Sequence, residues 1–358
     1  MFGGPSVEHD VSIITALQVI KNADLAKYNV LPIYWLKDGG VVLLRSVKPF
    51  TTVKSLIERK SWSPVSFFKG GFKAHNILSK SYYDCIVIPC FHGTNGEDGV
   101  VQGMFEFFDL TYTGSGVRAS AIGMDKNVFK MVMKHHKLPV LDWEVVSKYD
   151  RDDFKTTFPY PVIVKPCHLG SSIGVKKCES LDQVKDQLSV VFELDSQAII
   201  EPYLTDMQEI NCSILGTADH NQASVCEQPI SANEILSFVD KYLSGNKNKG
   251  AKTAGMAGLD RRIPAPISKA LTEKIQAMSQ SVFSAIGASG VARIDFMVTK
   301  NDDIYITEIN TIPGSLSFYL WEASGISFRE LINRLVEIAE SEFALKHSFK
   351  TTFQSNLI

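Results

Sequence analysis

Apolar and polar residues follow two rhythms along the chain, and segments of each kind succeed one another from end to end. Alternating or short apolar runs, "NVLPIYWL", "DCIVIPCF", "LTYTGSG", "PVIVKP", "GVKKCES", "QAIIEPYL" and "EINCSILG", predict strands. Runs with apolar residues three or four apart predict helices: one from about Val11, "GEDGVVQGMFEFF", "ASAIGMDKNVFKMVMKHH", Ser268 to about Ile286, and "SFRELINRLVEIAESEF". The strand that should feed the first glycine turn is nearly absent, as in a chain whose first strand is shortened. The pattern is α/β with α+β elements, in three blocks. Residues 1–115 read as an N-terminal parallel-sheet domain, 116–209 as a central unit, and 210–345 as a C-terminal unit. Residues 346–358 read as a loose tail.

A hairpin-like stretch, "RIDFMVTKNDDIYITEIN", changes the picture from fold to chemistry. With the loop centred on Asn301-Asp302, Asp295 faces Glu308 and Arg293 faces Asn310 on one side of the ribbon. Two opposed carboxylates repel by a few tenths to about 1 kcal/mol, and a bound divalent cation turns that cost into a gain. The rival reading is a solvated sheet face, and a three- or five-residue loop would slide the acids apart.

Three other segments bear on function. "PVIVKPCHLGSSIGVKKC" places Gly170, Ser171, Ser172 and Gly174 between two strands after Lys165. It is either a backbone cradle for phosphate or an ordinary hairpin turn, and it is no Walker A loop. "GSGVRA", Gly114 to Ala119, fits a dinucleotide pattern, but no acid ends a second strand about 20 residues on. Residues 238–262, glycine- and lysine-rich without periodicity, are either a disordered connector or a lid over an anionic ligand.

Composition narrows the options. With 358 residues, 45% hydrophobic and 21% charged, the chain can bury a sizeable core in two or three domains, and a net charge of -2 supplies no basic field for nucleic acid or membrane surfaces. Six cysteines without a CxxC pair, mostly inside apolar runs, point to reduced thiols and a cytoplasmic protein. No apolar run approaches the length of a membrane span.

The ordered set "FGGPSVEHDVS", "HGTNGEDGVVQG", "YTGSGVRASAIGMDK", "VIVKPCHLGSSIGV", "IIEPYL" with "QEINCSILG", "DKYLSG", "RIPAPIS", "ARIDFM" and "EINTIPGS" resembles the ATP-grasp ligases of the D-alanine–D-alanine ligase type over nearly the whole chain. The resemblance implies a three-domain ATP-grasp architecture, and it implies ATP-dependent joining of two D-alanines for peptidoglycan precursors through an acyl phosphate. It implies Asp295, Glu308 and Asn310 as ligands of two magnesium ions, for which manganese can substitute. Lys126 and Lys165 would contact the α- and β-phosphates, and Ser171 and Ser172 would lie over the γ-phosphate. Glu201 and the backbone near Leu204 would meet adenine, and Glu209 the ribose. Glu8, aided by His92, would pair with the first substrate's ammonium. Lys241 and Tyr242 would be lid residues, and Arg293 with the Gly314 N–H would hold the oxyanion. Such ligases are usually homodimers that bind neither nucleic acid nor membrane.

One departure stands out. Where the family shows "PG-x-T-x-x-S-L", this chain reads "PGSLSFYLWE", so Tyr319 takes the place of the serine that meets the second substrate's carboxylate, while Leu320 is retained. A related ligase with another second substrate, D-lactate, D-serine or a different amino acid, is the competing expectation.

Overall fold

A computed structural model of the chain describes residues 1–45, 53, 57, 58, 61–76, 80–151, 153–230 and 261–350. The chain starts in β1 (Phe2–Gly3), passes through α1 (His9–Asn22), and returns to pair β2 (Ile33–Trp35) in parallel with β1. Gly3 turns at φ 95°, where a Cβ would stand 2.3 Å from the Trp35 carbonyl oxygen, so only glycine lets β1 lie so close to β2. From β2 the sheet runs on through β3 (Val41–Leu44), β4 (Trp62–Phe68), β5 (Gly71–Ala74) and β6 (Lys80–Tyr83), every pair antiparallel.

This corrects the expectation of a parallel-sheet first block. Among the described residues, parallel pairing is confined to β1 with β2 and to β7 (Ile86–Val87) with β8 (Thr111–Tyr112), which flank α2 (Val100–Phe107). The reason is connection length: only Lys69 and Gly70 separate β4 from β5, enough for a hairpin and far too few for a crossover.

The next helical pattern divides in two. Asp125 adopts an extended conformation between α3 (Val117–Met124) and α4 (Lys126–His135), and its carboxylate accepts the backbone N–H groups of Asn127 and Val128 at 2.9 and 3.0 Å. It is the N-cap that starts a second helix rather than a residue within one. Strands β9 (Glu144–Ser147), β10 (Val162–Pro166), β11 (Lys176–Cys178) and, after α5 (Leu181–Val191), β12 (Gln197–Pro202) form an antiparallel sheet in the order β11-β10-β12-β9. Val184, Leu188 and Val191 of α5 pack on Val162, Val164 and Ile200 in its own core.

The last sheet combines β13 (Met207–Gly216), β14 (Asn221–Pro229), β15 (Arg261–Arg262), β16 (Gly290–Thr299) and β17 (Ile304–Asn310), ordered β15-β14-β13-β16-β17. Between β15 and β16 runs α6 (Lys269–Ile286), whose Ile275, Val282 and Phe283 are fully buried against Cys212, Ile294 and Phe296. Its start is fixed by Ser268, which caps the Leu271 N–H at 3.2 Å. After a 3-10 turn at Gly314–Ser317 come α7 (Phe318–Ala323) and α8 (Phe328–Ser348). The final helix therefore runs past residue 345, and the predicted tail begins with helical residues: Lys346 pairs with Glu106, and His347 Nε2 lies 2.9 Å from Asp109.

The β16–β17 hairpin reaches the predicted register by an unpredicted route. The turn holds three residues, 300–302, closed by the Thr299 N–H on the Asp303 carbonyl at 2.9 Å, with Asp302 in the left-handed region. That loop alone would slide the acids past each other. A β-bulge at Thr307 restores the register, so that Asp295 faces Glu308 and Arg293 faces Asn310, and the Thr307 hydroxyl donates to the Asp295 carbonyl at 2.8 Å.

Inserting one alanine between Thr307 and Glu308 should slip Glu308 away from Asp295 and abolish turnover while the far-ultraviolet circular dichroism stays native. Thr307→Val should keep the register and lose about 1 kcal/mol in urea melts. An insertion variant that retains activity would mean that the strand register at Asp295 does not set the site.

Candidate active site

The register places one polar row across four strands of the last sheet. Glu308 faces Asp295, Asp295 faces Asn211, and Asn211 faces Glu227. Arg293, one step along β16, points its guanidinium back at Asp295 and donates two bonds of 2.7 Å, one to each carboxylate oxygen. Burial opposes charge on Arg293, but Asp295 outweighs it and holds the guanidinium pKa well above its ordinary value. The amide of Asn310 also donates to Asp295, at 3.2 Å, and Glu308 lies 3.9 Å from the Lys126 ammonium. The repulsion expected between Asp295 and Glu308 is therefore offset within the protein by one arginine and one lysine. Sequence spacing put Arg293 on that face but did not reveal that it grips Asp295.

Next to this row lies a lysine cluster. Burial drives the Lys126 and Lys130 pKa values down. Glu201 accepts Lys130 at 2.5 Å and Lys165 at 2.6 Å. Burial would raise the Glu201 pKa, but Lys165 and Lys130 together overcome it and hold the carboxyl at about 2. The Glu201 side chain is thus committed to lysines, which leaves its backbone for any adenine contact. Lys130, one helical turn beyond Lys126, was not singled out from sequence, although that spacing places both on one face of α4. A cavity of 140 Å³ opens here, lined by Lys126, Lys165, Leu204, Glu209, Asp295 and Glu308. Ser172 and Glu201 also face it, so the predicted nucleotide contacts converge.

On the other side of Lys126 and Glu308, a smaller cavity of 50 Å³ gathers Glu8, His92, Ser171, Arg293, Asn310 and Gly314. Ser171 and Ser172 both sit in the left-handed region, a strained conformation for serine, and the Ser171 hydroxyl donates to Glu8. Burial pushes the His92 pKa down to about 4, so the ring is neutral near pH 7 and bonds Thr15 Oγ1 at 2.8 Å. Ser315, Leu316 and Ser317 form a buried left-handed run directly after Gly314, tied down by the Ser315 N–H on Thr15 at 3.1 Å. Glu97 was missed from sequence. It accepts the N–H groups of Gly93 at 2.8 Å and Ile312 at 3.2 Å, and burial, with Glu8 adding to it, pushes its pKa up to about 8. Two carboxyl groups crowded in one cavity suit a ligand that brings an ammonium.

Tyr319 lies away from both cavities' walls. Its hydroxyl donates to Glu227 at 3.1 Å, and Leu320 beside it is fully buried. Lys241, Tyr242 and all but the last two residues of the predicted lid lie outside the described residues. All six cysteines are free thiols, five of them buried. Among the described residues no helix is long and apolar enough to cross a membrane, and no group of three or more His, Cys, Asp or Glu residues is placed to hold a metal by itself.

Residues 1–115 match the family model described as D-ala D-ala ligase N-terminus, and residues 132–337 match that described as D-ala D-ala ligase C-terminus. A D-alanine–D-alanine ligase of Thermosipho africanus is 36% identical over 366 aligned residues, taking in 100% of this chain and 96% of that protein. The chain belongs to the D-alanine–D-alanine ligase family. Its members share the ATP-grasp fold: the D-alanine–D-alanine ligase of Coxiella burnetii superposes with a TM-score of 0.81 at 28% identity, covering 97% of this chain and 94% of that one. The Bacillus anthracis ligase, solved as a complex with ATP, superposes with a TM-score of 0.68 at 26% identity over 96% of this chain and 97% of that one.

Within this family member, His168 clamps the strained serine loop. Its backbone N–H and its Nδ1 meet the two oxygens of Asp195 at 2.7 and 2.9 Å, and Nε2 lies 3.4 Å from Asp125, the cap that precedes Lys126. The bond to Asp195 raises the His168 pKa against the opposing effect of burial. A raised histidine contributes stability that is complete below its unfolded value, about 6.5, and is lost as pH rises through the folded value. His168→Asn should therefore lower the melting temperature most near pH 6, and the difference from the native protein should shrink by about pH 8. A difference that does not change with pH would show that the ring works only by packing.

Proposed function

We propose that the chain joins two D-alanines into D-alanyl-D-alanine, consuming ATP and releasing ADP and phosphate, for peptidoglycan synthesis. The observation that carries this reading is the shared wall of the two cavities. Lys126 and Glu308 line both, with nucleotide-type groups on one side and the Glu8, Arg293 and Gly314 set on the other. Among the described residues, that wall is where an amino-acid carboxylate can meet a terminal phosphate.

Two amino acids do not condense favourably in water, so the first carboxylate attacks the γ-phosphate and becomes an acyl phosphate. Glu8 attracts the ammonium of that amino acid, Glu97 adds a carboxyl group that is largely protonated near pH 7 until that positive charge arrives, and neutral His92 adds a hydrogen-bonding group without competing positive charge. Lys126 and Lys165 balance phosphate charge. The amine of the second amino acid, once deprotonated, then attacks the acyl carbon. Arg293 and the Gly314 N–H stabilise the resulting oxyanion, and phosphate departs. Water would hydrolyse the intermediate, so the site has to exclude it during the reaction.

Asp295, Glu308 and Asn310 offer hard oxygen donors at the same wall, a set that suits magnesium when phosphate and water complete its shell. Magnesium would hold the phosphates and withdraw charge from them. Arg293 must then share Asp295 with the ion.

A second reading, in which the amine-donating substrate is not D-alanine, is favoured by Tyr319 at the position of the family's serine. Phosphate release from ATP, measured against a panel of D- and L-amino acids with products identified by mass, separates the two. D-alanine alone should support turnover and yield the dipeptide. Turnover only with mixed substrates would favour the second reading. Glu308→Gln should cut turnover at least about a thousandfold while changing ligand-free stability by less than about 1 kcal/mol, since its half-exposed link to Lys126 is long. A loss of several kcal/mol would instead make Glu308 a structural residue.

A further inference from the structure

Two lysines hold the carboxylate of Glu201, and they stand in different surroundings. Glu201 divides its oxygens between them: Oε1 accepts Lys130 at 2.5 Å and Oε2 accepts Lys165 at 2.6 Å. Lys165 and Glu201 line the 140 Å³ cavity together with Lys126, whereas Lys130 lies outside its lining. Lys130 is 1% exposed, and its ammonium also donates to the Leu141 carbonyl at 2.9 Å. It lies 5.4 Å from the centre of the Trp143 ring, which is itself held by the indole N–H on Asn127 at 2.8 Å. A carboxylate, a carbonyl and a π-face thus surround this ammonium, and no ligand is needed to complete its shell.

Lys165 is placed for a different task. It stands on β10 two residues beyond Ile163, the residue that faces Glu201 on β12, so its stem meets Glu201 diagonally across the sheet. Its ammonium is the Glu201 partner that shares a cavity with the nucleotide-type groups. If Lys165 were the one counter-ion of Glu201, drawing it onto a phosphate would strand a buried carboxylate without a partner, and ATP binding would have to overcome that cost. Lys130, already bonded to the other oxygen, removes the difficulty. Glu201 keeps a cation whether Lys165 is on it or on a ligand.

Resting on the ligase reading above, we infer that Lys130 is a positioning residue for ATP: as the permanent counter-ion of Glu201, it frees Lys165 to move its hydrogen bond from Glu201 to a phosphate oxygen. Lys130 itself makes no contact with the nucleotide. One charge-assisted hydrogen bond breaks and another forms, and no covalent change accompanies the exchange.

The affinity of the full chain for magnesium-ATP, read by calorimetry without any amino acid, tests this role. Lys130→Met leaves Lys165 as the partner that Glu201 cannot release, and should weaken ATP binding at least about tenfold. Glu201→Gln added to that variant removes the carboxylate that retains Lys165, and should bring the affinity back to within about threefold of native. In a Lys165→Met background, Lys130→Met should change the affinity by less than about twofold, since there is no lysine left to release. Native affinity in a folded Lys130→Met protein would overturn the inference. So would a loss that Glu201→Gln does not relieve, because Lys130 would then serve the nucleotide by packing alone. If Lys130→Met does not fold, the double variant with Glu201→Gln, which leaves no unpaired carboxylate, must still bind ATP near the native affinity, or the inference falls. A native chain that binds ATP but does not ligate D-alanine would retire the D-alanine assignment and leave these comparisons intact, whereas a native chain that binds no ATP would end both.

Discussion

The two-pronged bond between Arg293 and Asp295 is the contact around which the site is organised. Two carboxylates brought face to face by a hairpin would push the strands apart, and Arg293 removes that tendency from within β16 while lining the cavity that also holds Glu8 and His92. Because the guanidinium is buried, its charge is poorly screened; His92 nearby is neutral chiefly through burial, with Arg293 adding to the effect, and Asn310 donates to the same acid. The charge pattern of both cavities follows from this one pair.

The lysine cluster obeys the same logic with opposite signs. Three buried ammonium groups would repel one another, and Glu201, drawn in between two of them, makes their burial tolerable. The protein thus presents to a ligand one set of positive charges and one set of negative charges, each held by a partner that reduces its internal strain.

Much of this was legible in the sequence, and the parts that were not have physical causes. The helices at Ser268 and Ser327 show their caps, and the facing of Asp295 and Glu308 follows from period-two alternation. The turn was misread by one residue, because Asp302 adopts a left-handed conformation that the letters Asn-Asp-Asp do not announce, and the bulge at Thr307 that corrects it has no marker such as glycine. The parallel first sheet was expected from β1, α1 and β2 and wrongly extended to strands whose hairpin loops forbid it. Partners distant in sequence, Lys130 with Glu201 and Glu97 with Glu8, could not be paired at all, since nothing local ties one to the other.

The bulge at Thr307 has a practical consequence for anyone who wishes to label the protein. It lies between the turn and the acids, so strand alignment beside Asp295 and Glu308 is set by the Thr299–Asp303 closure and the bulge together, and residues added within 300–302 leave both in place. The turn is exposed, and Lys300 there makes only a solvent-facing pair with Asp206. A short peptide tag or a fluorophore attachment site inserted at that tip would ride on a rigid ribbon that leads directly to the reaction centre, close enough to report on it and insulated from its geometry.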